Sequence, residues 1–434
     1  MTASDRNKTY LAILKQETIP ALGCTDPVAI ALASAKARKA LGSDPERMEV
    51  FLSRNMLKNA MGVGIPGTRT SGIETAAALG AFGGNADAGL QVLSRVVQAQ
   101  AEKADRFVKD GKVIVHLKDT PEVLYIEAAL SNGKESARVL IQGDYTRIVK
   151  VEKNEKLIFH LDQDTIPGTQ GSPDFSKALS ISEIWDFTRE VPFAHISFLL
   201  LGSEMNSTLS DEGLNNEYGL RSGKIMRKAM REGTHPADLP ALAVMRTSAA
   251  VDARMAGCHL PATTNSGSGN QGITITLPIL MISRELNCSD EKLARSLALG
   301  HLTAIHIRRH FDRLSSMCGL VAAGTGAACG IIYLQGGGIV EITAGIANMV
   351  GNLSGMVCDG AKPGCALKAS SAVHAAFQSS LLALKGVRVS ASEGIVEEDA
   401  EKCIDNLGIL GSEGMRQTDR MMLDLMLAKK QGTV

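Results

Sequence analysis

A chain of 434 residues, 44% hydrophobic and 21% charged, has enough apolar side chains for a well-covered core and for more than one domain. Its 46 Lys and Arg balance 46 Asp and Glu, which leaves no basic footprint for phosphates and argues against a nucleic-acid partner. One Trp, five Tyr and ten Phe against 43 Gly describe helices that meet through small side chains, with little aromatic surface for stacking on bases or sugars.

The opening MTASDRNK is too polar for the apolar centre of a secretory signal, so a cytoplasmic protein is expected. Residues 6–18 carry a helical apolar rhythm, and a second helix is predicted after Cys24-Thr25, with Asp26 as N-cap and Pro27 as first helical residue. A short strand is expected over 48–52 and helices over 72–82 and 89–108. Short β-rich runs follow at 113–117, 123–129, 137–142, 146–151 and 157–161, with Asn132-Gly133 as a hairpin turn. A loop rich in Gly, Pro and Asp occupies 162–174, after which Ser180 and Glu183 form a capping box. Helices are predicted over 205–231, 240–255, 290–305, 316–334, 341–356 and 366–384.

The fold class is therefore mainly α with an α+β lobe. Residues 1–108 are read as an N-terminal segment of the helical domain, 109–165 as a small β-rich insertion and 166–434 as the main helical domain. The stretch 314–340 has no charged residue, yet seven Gly together with Ser315, Ser316, Thr325 and Gln335 mark it as buried in protein rather than spanning a membrane. Gly-rich apolar helices also suggest a homo-oligomer, a dimer in the simplest case.

Gly62, Gly64 and Gly67 spell G-x-G-x-x-G, but no strand leads directly into them and Pro66 interrupts the loop, so a dinucleotide site is rejected. MGVGIPGT is either a plain tight turn or a loop whose backbone N–H groups hold an anion. Residues 265–272, NSGSGNQG, combine a permissive backbone with hydroxyl and amide groups suited to a small polar molecule; the alternative is a flexible connector.

Eight cysteines stand at 24, 258, 288, 318, 329, 358, 365 and 403, and for any one of them a buried packing role is the default. Cys318, Cys358 and Cys365 are set apart because they fall at predicted helix ends, where the dipole and Lys362 favour thiolates. Their spacings of 40 and 7 match no common zinc pattern and are compatible with an iron-sulfur cluster, packing remaining the other reading. Cys24 precedes a helix start whose dipole lowers a thiol pKa, while Asp26 opposes it; reactive and structural roles stay open. The nine His are left as satisfied or solvent-facing residues.

Four stretches, PALGCTDPVAIALA around Cys24, NMLKNAMGVGIPGT at 55–68, SGSGNQGI at 266–273 and GMVCDGAKPGCALK at 355–368, closely resemble the L-cysteine desulfidase family. That family is related to the α-chain of iron-sulfur L-serine dehydratases, and the resemblance covers nearly the whole chain. It implies a multi-helical catalytic domain carrying a [4Fe-4S] cluster held by Cys318, Cys358 and Cys365, with one iron open to an amino-acid substrate. It further implies Cys24 as proton acceptor. The substrate-binding candidates are Asn59 in the second stretch and Ser266, Ser268, Asn270 and Gln271 in the third. The implied reaction is β-elimination of L-cysteine to sulfide, ammonia and pyruvate without pyridoxal phosphate. Dehydration of L-serine or another β-substituted amino acid, and a non-catalytic iron-sulfur sensor, are the alternatives.

Overall fold

The computed structural model describes residues 3–68, 70–161, 179–311 and 314–431; the loop expected over 162–174 lies outside them. Helix α1 (Ala3–Glu17) leads through strand β1 (Pro20–Leu22) to α2 (Thr25–Leu41). The N-cap of α2 is Cys24, not Asp26 as expected. Asp26 sits inside the first turn because its carboxylate has partners there, the Cys24 thiol and the Tyr145 hydroxyl.

Strand β2 (Arg47–Leu52) and helices α3 (Arg54–Ala60), α4 (Ile73–Gly83) and α5 (Gln98–Lys109) follow. The helix expected over 89–108 begins only at Gln98. Upstream, Val92 and Leu93 are buried on a turn, and the Gln100 side chain takes the Val97 N–H at 3.0 Å to start α5. Strands β3 (Val113–Leu117), β4 (Tyr125–Ser131), β5 (Ser136–Gln142), β6 (Ile148–Lys153) and β7 (Lys156–His160) complete a sheet of order β3-β2-β4-β5-β6-β7. β2 and β3 pair in parallel across the α3–α5 crossover, and the other neighbours are antiparallel.

Ala137, Val139 and Ile141 alternate inward along β5, the period-two signature of a half-buried strand, and meet the alanine-rich face of α2. On the other side of α2, Gly80 of α4 lies against the Ala31 backbone. The sheet thus shares one core with α2, α4 and α5, elements that begin before residue 109, and it takes in β2 as well.

The helical body comprises α6 (Ile181–Glu190), α7 (Phe193–Ile196), α8 (Phe198–Asn215), α9 (Ser222–Arg231), α10 (Leu239–Met255), strand β8 (Pro261–Thr263), α11 (Gly269–Glu285) and α12 (Asp290–Arg308). It continues with α13 (Gly319–Leu334), α14 (Ile339–Leu353), α15 (Cys365–Leu384), α16 (Ala400–Ile409) and α17 (Arg416–Gln431). Half of the capping box at α6 forms: Ser180 accepts the Glu183 N–H at 3.3 Å, while the Glu183 carboxylate accepts from Tyr10 instead.

Helix α13 is the axis of this body, with α11, α12, α14 and α15 packed around it. A helix wrapped on all sides has no solvent face, which accounts for the absence of charge along it. Its small residues let neighbours approach closely; a Cβ on Gly326 would lie 2.2 Å from the Gly300 carbonyl oxygen of α12. Among the described residues no helix is long and apolar enough to cross a membrane.

Two connections close the seam between sheet and helical body. β1 pairs antiparallel with β8, and α17 returns against α3, placing Leu423 in the core of the sheet. Gly326→Ala is expected to destabilise the protein by about 1–3 kcal/mol through overpacking of α12 against α13. Thermal unfolding should show a clear loss there and none for the exposed Val340→Ala.

Candidate active site

Four helices begin at the seam. Cys24 is the N-cap of α2, Ser268 of α11 and Cys318 of α13, while Cys365 is the first residue of α15; in none of the four does a side chain cap the free N–H groups. Helix starts carry partial positive charge and unpaired N–H groups, so their meeting point attracts anions. They open on a cavity of about 100 Å³. All nine residues singled out in the sequence line it: Cys24, Asn59, Ser266, Ser268, Asn270, Gln271, Cys318, Cys358 and Cys365.

On one wall the Cys24 thiol donates to Asp26 Oδ2 at 3.4 Å, and Tyr145, in the turn after β5, donates to Asp26 Oδ1 at 3.2 Å. Asn59 also hydrogen bonds to the Asp26 carboxylate. Burial first, and the Asp26 charge second, push the Cys24 thiol well up from its ordinary range, against a smaller opposing pull from Arg254. The helix dipole therefore does not win here, and Cys24 rests as a thiol. Burial likewise raises Asp26, although its three hydrogen bonds favour the carboxylate.

The glycine loop is half helical. Asn265 and Ser268 exchange backbone hydrogen bonds of 3.0 and 2.9 Å around a tight turn in which Ser266 and Gly267 have φ of 49° and 76°, and Gly269 already begins α11. Asn265 is held by His301, whose pKa burial pushes down to about 3. Neutral His301 buttresses the turn from outside the cavity.

The opposite wall carries three thiols. Cys318 N–H donates to Met356 O at 2.9 Å and Cys358 N–H to Ser316 O at 2.6 Å, so a short antiparallel ladder centred on Met317 and Val357 holds Cys318 beside Cys358. Ala361 N–H donates to Asn59 O at 3.2 Å, and Gly360, at φ 92°, has its Cα against the Lys58 carbonyl where any Cβ would clash at 2.4 Å. The loop leading into Cys365 is thereby moulded onto α3. The neighbouring Cys318 thiol lowers Cys358 from the ordinary thiol range against the opposing effect of burial, aided by the Lys58 and Lys368 charges and the Gly360 N–H. Cys318 is raised, and burial raises Cys365. Among the described residues no three His, Cys, Asp or Glu side chains converge as ligands of a single metal ion.

Beneath this wall, Lys58 is 1% exposed and pairs with Asp419 of α17, which also accepts from Asn55 and, at 2.8 Å, from Ser316. The C-terminal helix thus props up both α3 and the Cys318 segment.

Not every expectation holds. The MGVGIPGT loop has no free anion-binding face at Gly64, whose N–H donates to Met255 O at 2.9 Å and whose Cα packs on the Ala256–Gly257 backbone. It borders a separate cleft at Gly67 and Thr68. Cys258, Cys288, Cys329 and Cys403 lie outside the cavity. The sequence reading did not single out Tyr145, Arg254 and Arg308, which line the cavity, or Lys58 behind it, and it took Asp26 for a cap whose charge opposes a Cys24 thiolate, not for a cavity residue. A lone Arg near a helix C-terminus looks like a dipole partner, and a Tyr in a hairpin turn carries no signal of a cavity on another element.

Residues 87–424 match the serine dehydratase alpha chain family. The chain belongs to that family. Membership places it among the serine dehydratase-like lyases. The matched span includes the glycine loop and all three clustered thiols, and similarity to relatives extends to both ends of the chain. A protein of Oleidesulfovibrio alaskensis called UPF0597 protein is 44% identical over 421 residues, covering 97% of this chain and 98% of its own. A similarly named protein of Aeromonas hydrophila is 44% identical over 425 residues, 98% and 97% of the two chains. Another, of Parabacteroides distasonis, is 43% identical over 422 residues, 96% and 97%.

Two outcomes follow for family members built this way. Asp419→Asn leaves the buried Lys58 cation without its counter-charge, at an expected cost of about 3 kcal/mol in denaturant unfolding. Asp26→Asn removes the negative charge that disfavours the Cys24 thiolate. The pH midpoint for alkylation of Cys24 therefore moves down, with modification roughly tenfold faster at pH 8 by peptide mass spectrometry.

Proposed function

We propose that this chain is an L-cysteine desulfidase that uses a [4Fe-4S] cluster held by Cys318, Cys358 and Cys365. The observation that carries the reading is the placement of these three thiols, from two separate segments, on the same small cavity as the Cys24–Asp26 pair. The donor set suits a cluster better than a lone ion. All three are soft sulfur ligands, none is spent in a disulfide, and a cluster, which brings its own bridging sulfides, suits an all-thiolate set of three. Three helix N-termini and the Lys58 and Lys368 charges offset the negative charge that thiolate ligands bring. When bound, the cluster supplies a Lewis-acidic iron, free of a protein thiolate, that takes up charge developing at the leaving group.

The chain's own residues handle the protons. Cys24 passes its proton to Asp26 Oδ2, and the resulting thiolate removes the α-proton of the amino acid. The electron pair of the broken C–H bond forms the double bond of aminoacrylate as the C–S bond breaks, and the departing sulfide takes the proton held on Asp26. The raised affinity of buried Asp26 for a proton suits this brief custody, and Tyr145 and Asn59 keep the carboxylate aimed. Released aminoacrylate tautomerises and adds water, giving pyruvate and ammonia. Ser266, Ser268, Asn270 and Gln271 supply the polar rim that orients the amino acid; the buried Gln271 Oε1 and Asn59 Oδ1 lack a protein hydrogen-bond donor in the geometry of the site. L-Serine dehydration is the second reading, favoured by the family match, since hydroxide can leave by the same route.

Anaerobic reconstitution with iron and sulfide, followed by parallel assays of L-cysteine and L-serine, tests the proposal. Equal amounts of sulfide and pyruvate from L-cysteine, with little product from L-serine, are expected. Pyruvate mainly from L-serine transfers the assignment to a dehydratase, and no product from either despite an intact cluster points to a sensor. Cys24→Ala should keep the visible absorption of the cluster and lose at least about 100-fold in turnover, whereas Cys358→Ala should lose both.

A further inference from the structure

Arg254 ends α10 with its side chain inside the molecule, 2% exposed, on the wall of the cavity. Its Nη1 donates to Asn270 Oδ1 at 2.9 Å and its Nη2 to the Gly23 carbonyl at 2.7 Å. Both acceptors are neutral, and no described Asp or Glu forms an ion pair with it. The contrast is with Lys58, equally buried, which has Asp419. An arginine taken out of water with no carboxylate in direct contact is costly, because only the longer-range attraction of Asp26 stands against the lost hydration. Nε has no acceptor and is packed against Gly269, where a Cβ would come within 2.3 Å. That leaves one N–H on each terminal nitrogen, donors that a carboxylate can take.

The surroundings select the same ligand. Gly269 opens α11, so uncapped helix N–H groups lie against the guanidinium and add to its attraction for an anion. The cavity is small, so the anion must be small as well. The hydrogen bond to the Gly23 carbonyl puts Arg254 one residue from Cys24. In an α-amino acid the carboxylate is one bond from the carbon that carries the proton to be removed. A carboxylate on Arg254 therefore brings that carbon to Cys24.

We propose that Arg254 is the carboxylate anchor of this site and restricts its ligands to small α-amino acids with a free carboxylate; the inference rests on the reading of the cavity as an amino-acid site. Asn270 holds the fork in plane, and Gly269 is needed because a side chain there would displace the guanidinium.

The test is calorimetric binding to the anaerobically reconstituted protein, using L-alanine, which has no leaving group, and L-alaninamide, whose carboxylate is a neutral amide. Wild type is expected to bind L-alanine at least about 100-fold more tightly than the amide. Arg254→Gln and Arg254→Lys should both lose that preference, and KM for the amino acid that is turned over should rise about 100-fold in Arg254→Gln with a smaller change in kcat. Cluster absorption and thermal unfolding report whether each variant is intact. If Arg254→Gln does not fold, Arg254→Lys and the wild-type comparison of the two ligands still decide. Failure of wild type to bind L-alanine, equal binding of acid and amide, or a wild-type preference retained in Arg254→Lys and Arg254→Gln overturns the anchor. Arg254-dependent binding of L-alanine without turnover of L-cysteine or L-serine keeps the anchor and removes the proposed reaction; turnover without carboxylate dependence does the reverse.

Discussion

Anions collect where helices begin, and four helices of this chain begin at one place. Each start leaves N–H groups without intrahelical acceptors, and stacking four of them around a cavity of about 100 Å³ concentrates positive potential where water is scarce. Cysteine at or beside three of these starts exchanges a neutral cap for a group that can become anionic. The remaining start is marked by Ser268 and faces Arg254. Everything else about the site follows from keeping those termini in register.

That register is held by few but specific contacts. A short ladder at Met317 and Val357 joins the Cys318 and Cys358 segments, and Gly360 allows the cysteine loop to lie directly on the backbone of α3. Asp419 then ties α3 and Ser316 to the last helix of the chain. The cavity consequently lies between two hydrophobic cores, with walls drawn from the first, middle and final parts of the sequence. Neither core alone encloses it.

The same geometry sets opposite fates for chemically identical groups. Cys358 lies beside Cys318 and sees two lysines, which lower it from the ordinary thiol range. Cys24 is also at a helix start, yet burial and Asp26 keep its proton in place. Helix dipoles are modest and local, and burial together with a carboxylate two residues along the chain outweighs them. In the proposed reaction this thiol, reluctant to ionise but hydrogen-bonded to a proton acceptor, serves as half of a proton-transfer pair rather than as a standing nucleophile.

Much of this was legible in residue order. The inward alternation of β5, the uncharged run that became α13, and the helix-end positions of Cys318 and Cys365 are local patterns, and local physics determines them, whereas Cys358 lies in an extended segment past the end of α14 rather than at a helix end. The helix expected over 89–108 shows where local pattern falls short: burial of Val92 and Leu93 against the sheet core bends the chain there, a tertiary effect with no local marker. Arg254 was opaque, because a charged residue at a helix end has the same sequence appearance whether it faces water or a ligand. The sequence by itself determined which residues can ionise, bind sulfur-loving metals or begin a helix. Tertiary structure alone decided which of those groups share a cavity, which have a counter-charge and which lack one, because burial and electrostatic balance depend on neighbours hundreds of residues away along the chain.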